Sequence, residues 1–243
     1  MSVIKIENLT FSYYGYVKPV FENISFSFDT NWKTGLIGRN GVGKSTLFKL
    51  LLNQEVYQGK ISKSVEFIKF PPNLSDTSKL GIELYKELVS DEEEWKLFRE
   101  LNLLSVDDNI VYREFEKLSK GEQTKILLAT LFTKEAGFLL IDEPTNHLDM
   151  DGRKIVSEYL KGKKGFLLIS HDRDFLDGCI NHVISINRNS IDVQSGNFTS
   201  WYENKVLKDQ FEINQNEKLK KDIRGNVKKL FLYQIRNLFL YSY

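Results

Sequence analysis

The chain has 243 residues, room for one large or two small domains, and a hydrophobic share of 41% supplies a sizeable core. Its formal net charge of +1 gives no bulk attraction to nucleic acid, although a local basic surface can hide in a neutral total. The single cysteine, Cys179, excludes an internal disulfide framework and suits a reducing, cytoplasmic compartment.

The start, Met1-Ser-Val-Ile-Lys-Ile-Glu7, carries charge too early for a secretory signal. Residues 2–9 and 20–28 alternate apolar and polar side chains, which predicts two half-buried strands joined by a loop around Gly15 and Pro19. Next comes the apolar run Thr34–Ile37, then Gly38-Arg39-Asn40-Gly41-Val42-Gly43-Lys44-Ser45, then the helical pattern Thr46–Leu52. Strand, G-x-x-x-x-G-K-S and helix in this order form a phosphate-cradling loop. The glycines let backbone N–H groups converge on phosphates, and the helix adds its positive end. Lys44 is expected to reach the β/γ phosphates and Ser45 to offer its hydroxyl to Mg²⁺.

Residues 65–70 read as a further strand ended by Pro71-Pro72. Residues 78–117 are helical in pattern, and the acidic run Asp91–Glu94 reads as a solvated helix face. Leu118-Ser119-Lys120-Gly121-Glu122-Gln123 opens a helix over Thr124–Thr133. Ser119 three residues before Glu122 is a capping box, and the same helix start, with its free N–H groups, reads as a second anion site; both readings can hold together.

Gly137–Ile141 and Gly165–Ile169 are short, continuous apolar runs separated by a helical segment, as in a parallel sheet covered on both faces. The first ends in Asp142-Glu143, the second in Ser170-His171-Asp172. Ligands bind at such carboxyl strand ends. Asp142 is expected to hold Mg²⁺, Glu143 to orient or deprotonate an attacking water, and His171 to hydrogen-bond a γ-phosphate. His182 has no such context and reads as structural. Residues 180–194 predict a closing hairpin. From Phe198 the chain turns polar and helical, so a domain boundary is placed there, with residues 1–197 before it and 198–243 after. No stretch of about 18 uncharged apolar residues occurs, so no segment is expected to span a membrane.

The order of phosphate loop, Leu118–Gln123, Ile141-Asp-Glu-Pro-Thr-Asn-His-Leu-Asp149 and Ser170-His-Asp172 resembles an ABC-type ATPase domain over roughly residues 1–197. The stretch Glu143–Asp149 is similar to the ABC-F branch. Asp29–Lys33, Ile37–Gly41 and Ser195–Trp201 resemble Lsa-type antibiotic-resistance proteins within it. The resemblance implies an α/β P-loop ATPase fold: a mainly parallel sheet core, an antiparallel β subdomain, a helical subdomain and a C-terminal helical tail. It implies ATP and Mg²⁺ as ligands, with Lys44, Ser45 and Thr46 on phosphate and metal, and Asp142 and Glu143 as metal-associated carboxylate and catalytic base. It places Ser119, Gly121 and Glu122 on the ATP of a facing domain and Asp149 at the domain contact. An aromatic should stack on adenine, Tyr13 first, with Tyr14 and Tyr16 close behind.

ABC-F proteins carry two ATPase domains joined by a helical linker that enters the ribosomal exit site. The implied partners are therefore a second ATPase half, as a homodimer or a separate chain, and the ribosome. Lsa-type members protect against lincosamides, streptogramin A and pleuromutilins. Two departures stand out. No glutamine follows Phe67–Phe70, where most ABC ATPases have one; Pro71-Pro72 stands there instead. The tail resembles a linker helix only to about Ile223, and Leu230–Tyr243 is aromatic-rich and charge-poor, as a truncation or frameshift would leave it. A short amphipathic helix is the plainer reading of that stretch. Rival functions are the ATP-binding subunit of a membrane transporter and a nucleotide-dependent module without turnover.

Overall fold

The computed structural model describes residues 2–16, 18–89, 93–134, 136–187, 190–215, 217 and 220. Strands β1 (Val3–Phe11) and β2 (Phe21–Asp29) pair antiparallel, and β4 (Gln58–Ser62) adds to the other edge of β1 in a three-stranded sheet. The alternation in β1 and β2 sends Ile4, Ile6, Phe21 and Phe28 inward. Strand β4 has no such alternation in Gln58-Gly-Lys-Ile-Ser62. It forms because β1 offers it a free edge to pair with.

The second sheet is the centre of the molecule, in the order β5-β6-β7-β3-β8-β9. It comprises β3 (Lys33–Ile37), β5 (Phe67–Phe70), β6 (Phe138–Asp142), β7 (Phe166–Ile169), β8 (His182–Ile186) and β9 (Ile191–Ser195). The pairs β5·β6, β6·β7, β7·β3 and β3·β8 are parallel; β8 and β9 close antiparallel, the expected hairpin. Leu139, Leu140 and Ile141 of β6 and all four residues of β7 are buried, as strands covered on both faces must be. Helix α1 (Lys44–Leu51) lies between the sheets, its Leu47, Phe48 and Leu50 in one core with Ile6, Phe28, Phe138 and Leu140.

The long helical pattern of residues 78–117 is broken. It forms α2 (Gly81–Leu88), α3 (Glu94–Leu103) and 3₁₀ turns at Asp108–Tyr112 and Phe115–Lys117. The breaks are local: Asp107 caps the first 3₁₀ turn with its own carboxylate, and Leu80 bridges to Glu114 across the loop. In the acidic run, residues 91–92 lie outside the described set. Glu93 is the residue before α3 rather than on its face, and Glu94 pairs with Lys86 at 2.7 Å. Helix α4 (Lys120–Thr133) starts earlier than the expected Thr124, because Ser119 and Glu122 form the capping box and the cap brings Lys120 into the first turn. Helices α5 (Met150–Lys161) and α6 (Arg173–Cys179) follow β6 and β7.

By its contacts the chain divides into two units, Met1–Thr199 and Ser200–Tyr243. In the second, residues 200–215 are helical and carry Leu207, Phe211 and Ile213 exposed. The Leu230–Tyr243 stretch lies outside the described residues. Among the described residues no helix is long and apolar enough to cross a membrane.

A buried charge ties the helical region to the core. Glu100 of α3, 2% exposed, accepts hydrogen bonds from Tyr159 Oη at 2.7 Å, from Arg99 at 3.0 Å and from Lys163. Burial alone would raise its carboxyl, but the bonds from Lys163 and Tyr159 outweigh it and hold Glu100 below the usual range. Lys163 also lies over the Tyr159 ring at 4.2 Å. Removing one member of such a pair strands the other. Glu100→Ala is therefore expected to cost about 3–5 kcal/mol in urea unfolding; a cost under ~1 kcal/mol would mean the pair is dispensable.

Candidate functional site

Parallel pairing brings three chain segments to one edge of the central sheet: the loop after β3, the end of β6 and the end of β7. In the loop, Gly41 has φ of 78° and Gly43 of 112°, conformations that favour glycine. A Cβ on Gly43 would also stand 2.8 Å from Phe21 and Val20. Gly43 is the N-cap of α1, so the free N–H groups of its first turn open on the loop. Lys44 Nζ donates to Gly38 O at 2.9 Å and Arg39 O at 3.3 Å, over the cradle. Burial pulls the Lys44 ammonium below the ordinary lysine range, and the charges of Glu143 and Asp142 oppose it. Asn40 is exposed, as is Ser45, and Thr46 is buried beneath them.

Asp142 closes β6 and is half-buried; burial raises its carboxyl, opposed by Lys69, Lys44 and His171 in that order. Glu143 lies one residue on, with φ of 49°, a left-handed conformation strained for a residue with a side chain. Its N–H donates to Ile169 O of the neighbouring strand at 2.9 Å, which pins the turn. Its Oε1 is buried, makes no hydrogen bond with any described residue, and lies 3.4 Å from His171 Nε2. Burial is also the main cause raising the Glu143 carboxyl, with His171 opposing through its charge and its backbone N–H. Behind His171, Ser170 Oγ meets Thr145 Oγ1 at 3.2 Å and accepts from Asp172 N–H at 3.1 Å. Asp172 caps α6 and pairs with Arg153 at 2.9 Å.

The oxygens suit Mg²⁺ in kind: a carboxylate at Asp142, and a Ser45 hydroxyl that makes no hydrogen bond with any described residue. Among the described residues no three His, Cys, Asp or Glu groups cluster as a metal cage. Mg²⁺ asks for none, since it takes one or two protein oxygens and fills its shell with water and phosphate.

Ser119, Gly121 and Glu122 stand elsewhere. Ser119 Oγ accepts from Glu122 N–H at 3.2 Å, and Ser119 N–H donates to Glu122 Oε2 at 2.8 Å. The capping box and the outward-facing helix start thus coexist. They line a cavity of about 430 Å³ with Lys120, His147 and Asp149, and no phosphate-loop residue lines it. Asp149 caps α5 through Gly152 N–H at 2.8 Å. Tyr13 is half-buried, its hydroxyl 3.2 Å from Thr46 Oγ1 and its ring edge-on to Phe11. Tyr14 and Tyr16 are open to solvent. His182 stacks on Trp32 at 3.8 Å, a structural role as expected.

Sequence reasoning did not find Lys69, whose closeness to Asp142 depends on strand register. Nor did it find the left-handed turn at Glu143, for which a glutamate gives no signal.

The sequence pattern of the ABC transporter family matches residues 21–146. The chain is 32% identical over 228 residues to a putative ATP-binding protein, YdiF, of Bacillus subtilis, covering 90% of this chain and 35% of that protein. It is 32% identical over 187 residues to the ribosome protection protein VmlR of Bacillus subtilis, covering 73% and 33%. The chain thus spans about a third of the length of these relatives. Among solved structures, an ATP-binding cassette in a dimeric post-hydrolysis state, bound to ADP and Pi, superposes with a TM-score of 0.67 at 14% identity. That match covers 79% of this chain and 98% of the other.

Because burial raises the Glu143 carboxyl, the folded chain holds that proton more tightly than the unfolded chain does. Its charged form therefore weighs against folding at neutral pH, and the burden lifts as pH falls through the folded pKa. Glu143→Gln is therefore expected to raise Tm at pH 7. The gap should narrow as pH drops toward the ordinary carboxylate range of about 4. A Tm difference that widens on acidification would contradict this assignment.

Proposed function

The chain belongs to the ABC transporter family as an ATPase domain, and from that premise we propose that it binds ATP on its phosphate loop and hydrolyses it when a second ATPase domain closes over the nucleotide. The observation that carries this reading is the separation of two constellations. Lys44, Ser45, Asp142, Glu143 and His171 belong to the carboxyl edge of the sheet, whereas Ser119, Gly121 and Asp149 line a cavity without them. One domain cannot lay its own Ser119 on its own γ-phosphate, so two domains share each nucleotide.

In this mechanism Lys44 exchanges two backbone carbonyls for β/γ phosphate oxygens. Ser45 and Asp142 would hold Mg²⁺, whose charge would offset that of the phosphates. Glu143 takes the proton of the attacking water. Its Oε1 accepts no hydrogen bond from any described residue, and burial makes the carboxylate a better base than an exposed glutamate. His171 turns its ring toward both Glu143 and the γ-phosphate. Thr46 and Tyr13 border the phosphate loop, and Tyr13 offers its ring to adenine.

Within the family we assign the chain to the ABC-F branch, on the stretch Glu143–Asp149 and on its likeness to a ribosome protection protein. The partner of that reading is the ribosome, and the function is protection from lincosamide, streptogramin A or pleuromutilin antibiotics. Sedimentation of an ATP-loaded Glu143→Gln chain decides between this and a transporter subunit: ribosomal pellets support it, membrane pellets overturn it.

Lys44→Ala should lose charge-assisted contacts worth about 1.5–3 kcal/mol each, so ATP affinity by calorimetry falls at least tenfold. Equal affinity in both proteins would remove Lys44 from the site. Glu143→Gln should bind ATP yet slow turnover by about 10²–10⁴-fold, and undiminished hydrolysis would remove Glu143 from its role. Wild-type specific activity should rise with protein concentration; a fast, concentration-independent rate from a monomer in the ultracentrifuge argues for a site complete in one chain.

A further inference from the structure

Strands β5 and β6 run parallel with Phe67 opposite Phe138, Lys69 opposite Leu140 and Phe70 opposite Ile141. Side chains alternate along a strand, so Phe67 and Lys69 share a face with Phe138, Leu140 and Asp142. That face is the one α1 covers: Phe67, Phe138 and Leu140 join Leu47 and Phe48 in the core. Toward the carboxyl ends, the row passes from two phenylalanines through Lys69 to Asp142. Lys69 stands one residue before the end of β5, on the apolar face and toward its carboxyl edge, where a long stem can follow apolar neighbours and bring its ammonium to that edge. Lys69 is half-buried and, unlike Lys44, makes no hydrogen bond or ion pair with any described residue. In the β5·β6 register it lies opposite Leu140, one step along the same face from Asp142. Immediately after it, Phe70-Pro71-Pro72 offers neither a polar side chain nor a proline N–H, so Lys69 is the polar group this strand contributes to the site.

We propose that Lys69 is a second cation of the nucleotide site, a tethered counter-ion beside Asp142 that makes ATP binding less dependent on divalent metal. The inference rests on the ATP-binding role assigned above. A triphosphate entering without metal meets two carboxylates, Asp142 and Glu143, and Lys44 alone would have to offset both. An ammonium beside Asp142 cancels one of them. With Mg²⁺ held by Asp142 that charge would already be offset, so Lys69 is expected to be close to neutral for affinity.

The test is calorimetric titration of ATP into the full chain, once with Mg²⁺ and once with excess EDTA. The proteins are wild type, Lys69→Met, Lys69→Gln, Lys69→Arg and Lys44→Ala. Methionine keeps the apolar stem and removes the charge; glutamine gives the same reading if the methionine variant does not fold. Loss of the charge should weaken metal-free affinity about tenfold or more, the size of one charge-assisted contact, while Mg²⁺-supported affinity moves less than about threefold. The ratio of the two affinities rises accordingly, and Lys69→Arg keeps the wild-type ratio. An unchanged ratio in the neutral variants, with wild type binding ATP and Lys44→Ala not, overturns the role of Lys69 and leaves the ATP-binding reading intact. No binding by wild type in either buffer overturns both.

Discussion

The parallel hydrogen bonding of β3 and β6 to the two edges of β7 is the constraint on which the site depends. Phe166–Ile169 is a four-residue strand, yet it holds the phosphate loop on one side and Asp142-Glu143 on the other. Residues about a hundred positions apart in sequence meet because each sits at the carboxyl end of a strand in this trio. The bond from Glu143 N–H to Ile169 O extends the ladder one step past the strands and aims the carboxylate. Little freedom remains, since every residue of β7 is buried on both faces.

Much of this was legible in the residues. Continuous apolar runs such as Phe138–Ile141 and Phe166–Ile169 read as central strands, as they are, and the glycine loop before α1 reads as the phosphate cradle proposed for it. Where reading failed, the cause was tertiary. Gln58–Ser62 has no apolar alternation, because an edge strand on an exposed sheet is specified by its partner's open backbone. The region 78–117 has helical periodicity throughout, and its interruptions come from Asp107 capping a turn and from the Leu80–Glu114 bridge. In the site, the residue types at Lys44, Asp142, Glu143 and His171 point to chemistry by position along the chain. Lys69 points to nothing until the β5·β6 register is known.

Ser119 shows how one residue can serve two levels of structure. Its reciprocal bonds with Glu122 start α4, and buried Gln123, next in line, donates to Phe115 O at 2.7 Å and Leu118 O at 3.2 Å. The helix start is thereby fixed to the loop before it. A surface built to receive a ligand from another molecule cannot be shaped by that ligand while apart from it. The capping box forms it in advance, so the proposed closure of two domains would order fewer groups at the moment of contact.

The left-handed turn at Glu143 also bears on how such a chain can drift. Glycine and asparagine are the residues most at ease there, and neither carries a carboxylate long enough to reach a water. Random substitution that favours a sturdier fold would therefore select against the proposed base at this position, while selection for turnover would retain the strain. A lineage relieved of the need to hydrolyse ATP should lose Glu143 early, and its sheet should grow more stable as it does.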